Sequence, residues 1–156
     1  MRRFAVKAIL ILLLTLVGIA GFTTVMATEG PLLPGDVLFP IQEVSENLYS
    51  DFLFRRLDRA YYALAILEHR VDNFDVLVGT RYEVPALIAL DKAIDKFTLA
   101  FASLNNEDAS VLRQRLSSQI KRIREISRRS TRASKQAPEL YAPFSAKIES
   151  KSTNLM

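Results

Sequence analysis

Proline and glycine leave two long stretches of this chain uninterrupted. All six prolines lie at positions 31, 34, 40, 85, 138 and 143, so residues 41–84 and 86–137 contain none, and Gly79 is the only glycine in either stretch. Proline and glycine are the residues that most often end helices. The chain has no Asn-Gly or Asp-Gly hairpin signal and no sustained strand-like alternation. The sequence therefore predicts an all-α fold.

Apolar residues recur at helical spacing along the first stretch. A helix is expected to begin near Pro40 and to end at Gly79. Its apolar stripe changes position by one residue between Phe52 and Leu53, which indicates a kink or a rotated face. The stripe residues before and after the change are Ile41, Val44, Leu48 and Phe52, then Leu53, Leu57, Tyr61, Leu64, Leu67, Val71, Phe74 and Val78.

Two further helices are predicted in the second stretch. One runs from Pro85 to about Leu104 with a narrow, coiled-coil-like stripe, and the other begins at a cap provided by Asn106 or Asp108 and ends near Arg129. Their apolar residues are Leu87, Leu90, Ile94, Phe97, Phe101 and Leu104, then Val111 or Leu112, Leu116, Ile120, Ile123 and Ile126. We expect an antiparallel bundle of about three amphipathic helices over 41–129. A basic, Ser/Thr-rich, disordered tail is expected over 130–156.

The N-terminus carries a segment that directs the chain to a membrane. Arg2, Arg3 and Lys7 precede an uncharged run over 8–28 that ends in Val25-Met26-Ala27-Thr28. Cations before a leucine-rich run with small residues at its end are typical of an export signal, so we expect residues 1–27 to be cleaved after Ala27. The alternative is an uncleaved anchor, since 21 helical residues reach about 30 Å. Both readings place the rest of the chain outside the cytoplasm, in the periplasm, on the cell surface or secreted.

Residues 28–40 form a turn-rich linker. Pro34-Gly35-Asp36 is a turn sequence, Asp36 can cap the turn that follows, and Leu38, Phe39 and Ile41 can fold back on the first helix. This predicts a structural clasp made of Leu33, Pro34, Gly35, Asp36, Leu38, Phe39 and Pro40.

The same residues carry a resemblance to a known family. Leu33-Pro34-Gly35-Asp36-Val37-Leu38-Phe39-Pro40-Ile41 is similar to the LPGD-x-L-(Y/F)-P-hydrophobic opening of a bacterial family of extracytoplasmic helical domains of unknown function. The run from Arg55 to Arg70 resembles the Arg/Leu/Ala/Glu-rich element that follows in that family. The resemblance implies a helical module at the cell surface or in the periplasm and assigns no activity.

Charge is unevenly distributed along the chain. Residues 28–108 hold 14 acidic and 7 basic side chains, whereas residues 109–156 hold 3 acidic and 11 basic ones. The basic third helix can dock on the acidic helices before it, or it can bind an external anionic membrane surface, envelope polymer or acidic protein. The sequence argues against nucleic acid as a partner, because the aromatic residues lie on the first helix and the expected export signal would remove the chain from the cytosol. The candidate anionic-partner surface is Arg113, Arg115, Lys121, Arg122, Arg124, Arg128, Arg129 and Arg132.

The residue types that common active sites need are scarce. The chain has no cysteine and a single histidine, His69, which excludes disulfides, Cys/His zinc sites and a cysteine nucleophile. Asp91 and Asp95 lie one turn apart, as an acid–base pair would, but interleaved lysines predict a solvated charged face instead. We therefore predict no enzymatic activity, no metal site and no cofactor.

Two aromatic residues on the first helix, Phe54 and Tyr62, can face outward and form a second candidate surface, with packing inside the bundle as the alternative. The function that these features predict is an exported or membrane-anchored, non-enzymatic helical domain, an envelope or surface interaction module with a basic third helix. The alternative is a periplasmic ligand sensor or chaperone-like helical hairpin that uses the aromatic stripe.

Overall fold

The computed structural model describes residues 2–30, 32–133 and 138–155, and these residues form helices and connecting turns without a β-strand. The predicted all-α fold is confirmed, with more helices than expected. The elements are α1 (Arg2–Glu29), α2 (Phe39–Phe52), α3 (Arg56–Leu77), α4 (Glu83–Ala102), α5 (Asn106–Ala133) and α6 (Pro138–Leu155). The chain divides into two compact units. The first contains α1 and α2, and the second contains residues 33–35 and α3 to α6.

The first unit begins with the apolar helix α1. Its segment Ile9–Glu29 is long and apolar enough to cross a membrane, and every side chain from position 9 to position 22 is exposed. The covered positions among the described side chains of α1 lie near its end, at Thr23, Met26 and Ala27. They recur at the spacing of one helix face, and α2 is the helix that packs on α1. The last two turns of α1 therefore form its contact with α2.

Helix α2 is oriented opposite to the sequence expectation. The predicted inward residues Ile41, Val44, Leu48 and Phe52 are exposed, Phe52 by 72%. The buried residues of the helix are instead Phe39 and the polar residues Gln42, Ser45 and Glu46. The Gln42 side chain satisfies its hydrogen bonds there, since Oε1 accepts from the backbone N of Leu32 at 2.9 Å and Nε2 donates to Glu46 at 2.9 Å.

The predicted first helix is also two helices rather than one. Residues 53–55 separate α2 from α3, at the position where the apolar stripe changes face. From Leu57 onward the prediction is confirmed, because the stripe residues of α3 are buried or half-buried in the core of the second unit. Gly79, with a φ of +78°, ends α3 as expected, because that backbone conformation favours glycine.

Helices α3 and α4 form an antiparallel hairpin around the predicted apolar stripes. Arg56 at the start of α3 donates a hydrogen bond to the carbonyl of Ser103 just after α4, at 3.4 Å. The α4 stripe from Leu87 to Phe101 is buried, as the spacing predicts, and Phe97 stacks beside Phe101 with ring centroids 5.6 Å apart. This hairpin forms one half of the second unit.

Helices α5 and α6 supply the other half. In α5 the stripe from Leu112 to Ile126 is buried, whereas Val111 is exposed. The cap is Asn105, whose side-chain oxygen accepts from the backbone N of Asp108 at 2.8 Å, so the prediction of Asn106 or Asp108 as the cap is wrong.

The expectation of a disordered tail from residue 130 is also wrong for the described residues. Helix α5 continues to Ala133, and α6 follows with Tyr141, Phe144 and Ile148 in the core. The spacing of these three residues places them on one helix face. Their burial in the core, with Tyr141 and Phe144 beside Phe74, explains why a Ser/Thr/Lys-rich segment with two prolines is helical here, since tertiary packing outweighs intrinsic propensity. The second unit is thus a four-helix bundle.

Contacts between side chains define the helix directions within this bundle. Ion pairs join Glu68 to Arg115 and Asp75 to Arg129, so α5 runs parallel to α3. Lys147 pairs with Asp91 and Asp95 on α4, and Tyr141 near the start of α6 contacts Glu83 at the start of α4. Helix α6 therefore runs parallel to α4 and antiparallel to α5.

Candidate functional site

The basic residues of α5 separate into two stripes. Arg115, Arg122 and Arg129 are spaced by seven residues and share one face, which we call the inner stripe. The outer stripe is Arg113, Lys121 and Arg128, which fall within an arc of about 80° at 100° per residue. The two stripes are separated by about 130° around the helix. The structure therefore divides the predicted surface into two parts with different surroundings.

The inner stripe pairs with carboxylates on α3. Arg115 forms a two-bond contact with Glu68, with its Nη2 2.6 Å and its Nε 3.2 Å from the carboxylate oxygens. Arg122 hydrogen-bonds Asp72 and also Asp75, the latter at 3.2 Å. Arg129 contacts the other oxygen of Asp75 at 2.8 Å. The predicted docking of the basic helix on the acidic helices before it is therefore observed on α3.

Hydrogen bonding to Asp72 raises the pKa of Arg122 above its ordinary value, and Asp75 adds to that effect against the opposing cost of burial. These pairs remain substantially exposed, with the Arg122 and Arg129 side chains 42% and 57% accessible. Exposed ion pairs contribute little stability because water and salt screen them. The main effect of the inner stripe is to neutralise charge on α5 and to align it with α3.

The outer stripe is exposed, and the described part of the structure gives its three side chains no carboxylate partner. From Arg113 to Arg128 the stripe extends about 22 Å along the helix. Arg124 is half-buried and interacts within the chain, so it is not part of this exposed surface. The side chain of Arg132 lies outside the described residues. Of the eight predicted residues, Arg113, Lys121 and Arg128 are thus exposed without a carboxylate partner among the described residues, whereas Arg115 and Arg129 are exposed but paired.

A buried polar cluster joins α4, α5 and α6. The Tyr141 hydroxyl donates to Glu83 Oε1, and the single Ser130 hydroxyl proton is shared between Glu83 Oε1 and the Tyr141 oxygen, 2.6 Å from it. Glu83 Oε2 accepts from the backbone N of Gly79 at 2.8 Å. Burial alone would raise the pKa of Glu83, but the hydrogen bonds from Ser130, Tyr141 and Gly79 together hold that pKa below its ordinary value. Burial and the adjacent carboxylate raise the pKa of Tyr141. All four groups satisfy one another, so the cluster is structural.

The sequence interpretation missed this cluster because it left α6 unstructured. The signal was the spacing of Tyr141, Phe144 and Ile148, which is helical, with Pro138 at a first helical position.

A cleft opens between α4 and α6. It has a volume of about 280 Å³ and is lined by Leu87, Ile88, Asp91, Lys92, Pro143, Phe144 and Lys147. Lys147 Nζ lies 2.6 Å from Asp91 and 2.8 Å from Asp95. Burial lowers the pKa of Lys147, but the two carboxylates outweigh that effect and raise it. The aspartates predicted to form a solvated face therefore hold α6 at one wall of an apolar cleft.

The predicted aromatic surface does not form as a pair. Phe54 is 92% exposed, whereas Tyr62 is half-buried and packs against the core of the second unit. Packing inside the bundle, the alternative considered for the aromatic residues, thus describes Tyr62. His69 is half-buried, and among the described residues no group of three His, Asp or Glu side chains is placed to hold a metal ion.

The predicted clasp is divided between the two units. Leu33, Pro34 and Gly35 belong to the second unit, where Pro34 is buried and Gly35 lies against the ring of Tyr82. Asp36, Leu38, Phe39 and Pro40 belong to the first unit, where Phe39 is buried and the Asp36 carbonyl accepts a hydrogen bond from its backbone N at 3.1 Å. Leu38 and Ile41 are exposed, so the predicted fold-back of these two residues is wrong.

Comparison with protein-family models, with curated proteins and with solved structures finds no match to this chain. The resemblance of the 33–41 segment to a family therefore stays a prediction. The functional interpretation rests on the geometry of the two units.

Proposed function

We propose that this chain is a membrane-anchored, extracytoplasmic helical domain that acts by binding phosphate-bearing anionic surfaces through the outer stripe of α5. The observation that carries the proposal is the exposure of Arg113, Lys121 and Arg128 beside an inner stripe whose arginines are already paired. The domain is proposed to have no enzymatic activity.

Retention of α1 as an anchor is supported by the contact that α2 makes with it. Ala27, after which a signal peptidase would cut, is 5% exposed within the continuous helix α1, at the end where α2 packs. This contact favours the uncleaved anchor over the cleavage expected from the sequence. The cations at positions 2, 3 and 7 would then remain on the cytoplasmic side, with α2 to α6 outside.

The chemistry of the outer stripe favours phosphate as the ligand group. Two of its three residues are arginines, whose planar guanidinium groups form two-bond contacts with phosphate oxygens. Each cation near an anionic lipid surface contributes about 1 kcal/mol, so three cations correspond to an affinity gain of about a hundredfold. Phosphodiester groups occur both in lipid headgroups and in soluble envelope polymers, and the experiment separates these two sources.

The test uses the full chain in neutral phosphatidylcholine nanodiscs. Binding is titrated with phosphatidylglycerol vesicles and, separately, with soluble poly(glycerol phosphate), at low and at physiological ionic strength. Binding to either probe should weaken as salt rises, because the screening length falls from about 30 Å at 0.01 M to about 8 Å at 0.15 M. Binding to only one probe identifies the source of the phosphate.

Two variants show whether the stripe is responsible. Replacing Arg113, Lys121 and Arg128 with Gln should lower the affinity by about a hundredfold. Replacing the exposed arginines at 55, 56 and 59 with Gln changes the net charge equally and should leave most of the affinity. Equal losses of affinity in the two variants would contradict the proposed function. The absence of binding by the unmodified chain at low salt would contradict it as well.

The cleft between α4 and α6 favours a second candidate function, the binding of a small ligand. Its volume of about 280 Å³ lies at the lower limit of ligand pockets. An apolar fluorescent probe should bind the unmodified chain. The Ile88→Glu variant, which introduces a charge on the cleft wall, should not bind it. Retained binding would exclude the cleft as the site.

A further inference from the structure

Helix α2 has an apolar face that the described residues of its own unit leave largely exposed. Ile41, Val44, Leu48 and Phe52 lie within an arc of about 80° around the helix. Val37 and Leu38 just before the helix extend the exposed apolar surface, and Val37 is 93% exposed. The buried residues of α2 are Phe39, Gln42, Ser45 and Glu46, and the centre of this set lies about 120° around the helix from the apolar face. A helix that packs in a water-soluble bundle normally buries its apolar face, whereas α2 leaves most of it exposed.

The contact between α1 and α2 places this face at a definite depth. The covered positions Thr23, Met26 and Ala27 lie within the last seven residues of the apolar segment that ends at Glu29. Seven helical residues rise about 10 Å, so these positions correspond to the outer edge of a hydrocarbon core about 30 Å thick. A helix packed there lies at the boundary between acyl chains and headgroups.

The charges of α2 restrict which lipid surface suits it. The helix contains Glu43, Glu46 and Asp51 and no lysine or arginine. It therefore has no attraction to anionic headgroups, and burial of its apolar face is the favourable contribution to lipid contact.

We infer that α2 is an interfacial helix whose apolar face, formed by Ile41, Val44, Leu48 and Phe52, is inserted into the outer leaflet of the membrane that α1 spans. The occupant of this face is the acyl-chain and headgroup boundary of a neutral leaflet. The inference rests on the proposed retention of α1. In this arrangement α1 and α2 form one membrane-embedded unit, and its apolar surface continues from the span onto the leaflet boundary.

The chain contains no tryptophan, so single Trp variants report depth without background. In nanodiscs of phosphatidylcholine with brominated acyl chains, the fluorescence of the Leu48→Trp variant should be quenched several-fold more than that of Ser50→Trp. Position 50 lies about 160° around the helix from position 48 and is half-buried. Lipids brominated near the headgroup should quench Leu48→Trp more than lipids brominated near the chain ends. The fluorescence of Val44→Trp should be quenched as strongly as that of Leu48→Trp. Agreement between the two positions shows that the quenching is not a local effect of one substitution.

A Leu13→Trp variant separates this inference from the proposed anchor. Strong quenching at position 13 with equal, weak quenching at positions 44, 48 and 50 would overturn the interfacial helix and leave the anchor intact. Absence of quenching at position 13 would contradict the anchor itself. A Leu48→Cys variant that forms a disulfide-linked dimer in nanodiscs, together with an unquenched Leu48→Trp, would assign the face to a second copy of the chain and overturn the lipid assignment.

Discussion

At the scale of single residues, the contacts of Gly35 explain why the turn Pro34-Gly35-Asp36 has glycine at its centre. Gly35 has a φ of +102°, and a Cβ atom at this position would clash with Cδ1 of Tyr82. Arg81 lies over the same Tyr82 ring, 4.7 Å from its centroid, and hydrogen-bonds its hydroxyl group. The sequence predicted a turn at this position, but the long-range contact with Tyr82 could not be read from local residue types.

Gly35→Ala should therefore destabilise the second unit by more than backbone strain alone, which costs about 1–3 kcal/mol. Gly79→Ala is the matched control, because Gly79 also has a positive φ but has open space around its Cβ position. Thermal unfolding of both variants measures the difference. Equal losses of stability would show that Tyr82 does not restrict position 35.

The buried cluster of Glu83, Ser130 and Tyr141 should make the free energy of unfolding fall at alkaline pH. The pKa of Tyr141 is raised in the folded chain, so its neutral form is favoured there. Once the pH exceeds about 10, the unfolded chain loses this proton while the folded chain retains it. Proton loss then stabilises the unfolded state relative to the folded state. Stability contributed by Tyr141 is complete below about pH 10 and is lost as the pH rises further.

Chemical denaturation between pH 8 and pH 11, with Tyr141→Phe as the comparison, measures this dependence. At pH 8 the variant should lose about 1 kcal/mol through its missing hydrogen bonds, and above about pH 10 the difference from the unmodified chain should shrink. A constant difference across this range would contradict the assigned hydrogen bonds.

At the scale of helices, periodicity predicted α3, α4 and α5 well and failed for α2 and α6. The stripes of α3 to α5 alternate with charged residues, and they are buried where the spacing places them. In α2 an apolar stripe with the same spacing lies on the exposed side of the helix. Periodicity identifies an apolar face but does not identify what covers it, so it could not predict this exposure. In α6 the apolar residues are few, and their burial depends on contacts with Phe74 that composition does not reveal.

The role of α6 is testable at one position. Phe144 is 5% exposed, so Phe144→Ala should cost about 3–5 kcal/mol of unfolding free energy. Ser145→Ala, at an exposed neighbouring position, should change stability little. Urea denaturation followed by circular dichroism compares the two. If both substitutions have no effect, the segment is not part of the core and the disordered tail expected from composition would be correct.

At the scale of the whole molecule, the uneven charge seen in the sequence has more than one role. The inner stripe of α5 is matched by Glu68, Asp72 and Asp75 on α3, which is the intramolecular explanation considered from charge alone. The outer stripe is the surface that we propose to bind an external anionic partner. Charge counts could predict that compensation is needed, but only helix packing separates the paired arginines from the exposed ones.

The proposed interfacial helix depends on the proposed anchor, which would also hold the proposed binding surface at a membrane. The most direct measurement is the N-terminal residue and the fractionation of the chain recovered from cells after an alkaline carbonate wash. If α1 is retained, the chain begins at Met1 and stays in the membrane pellet. A chain that begins at Thr28 and is released into the supernatant would contradict the proposed anchor.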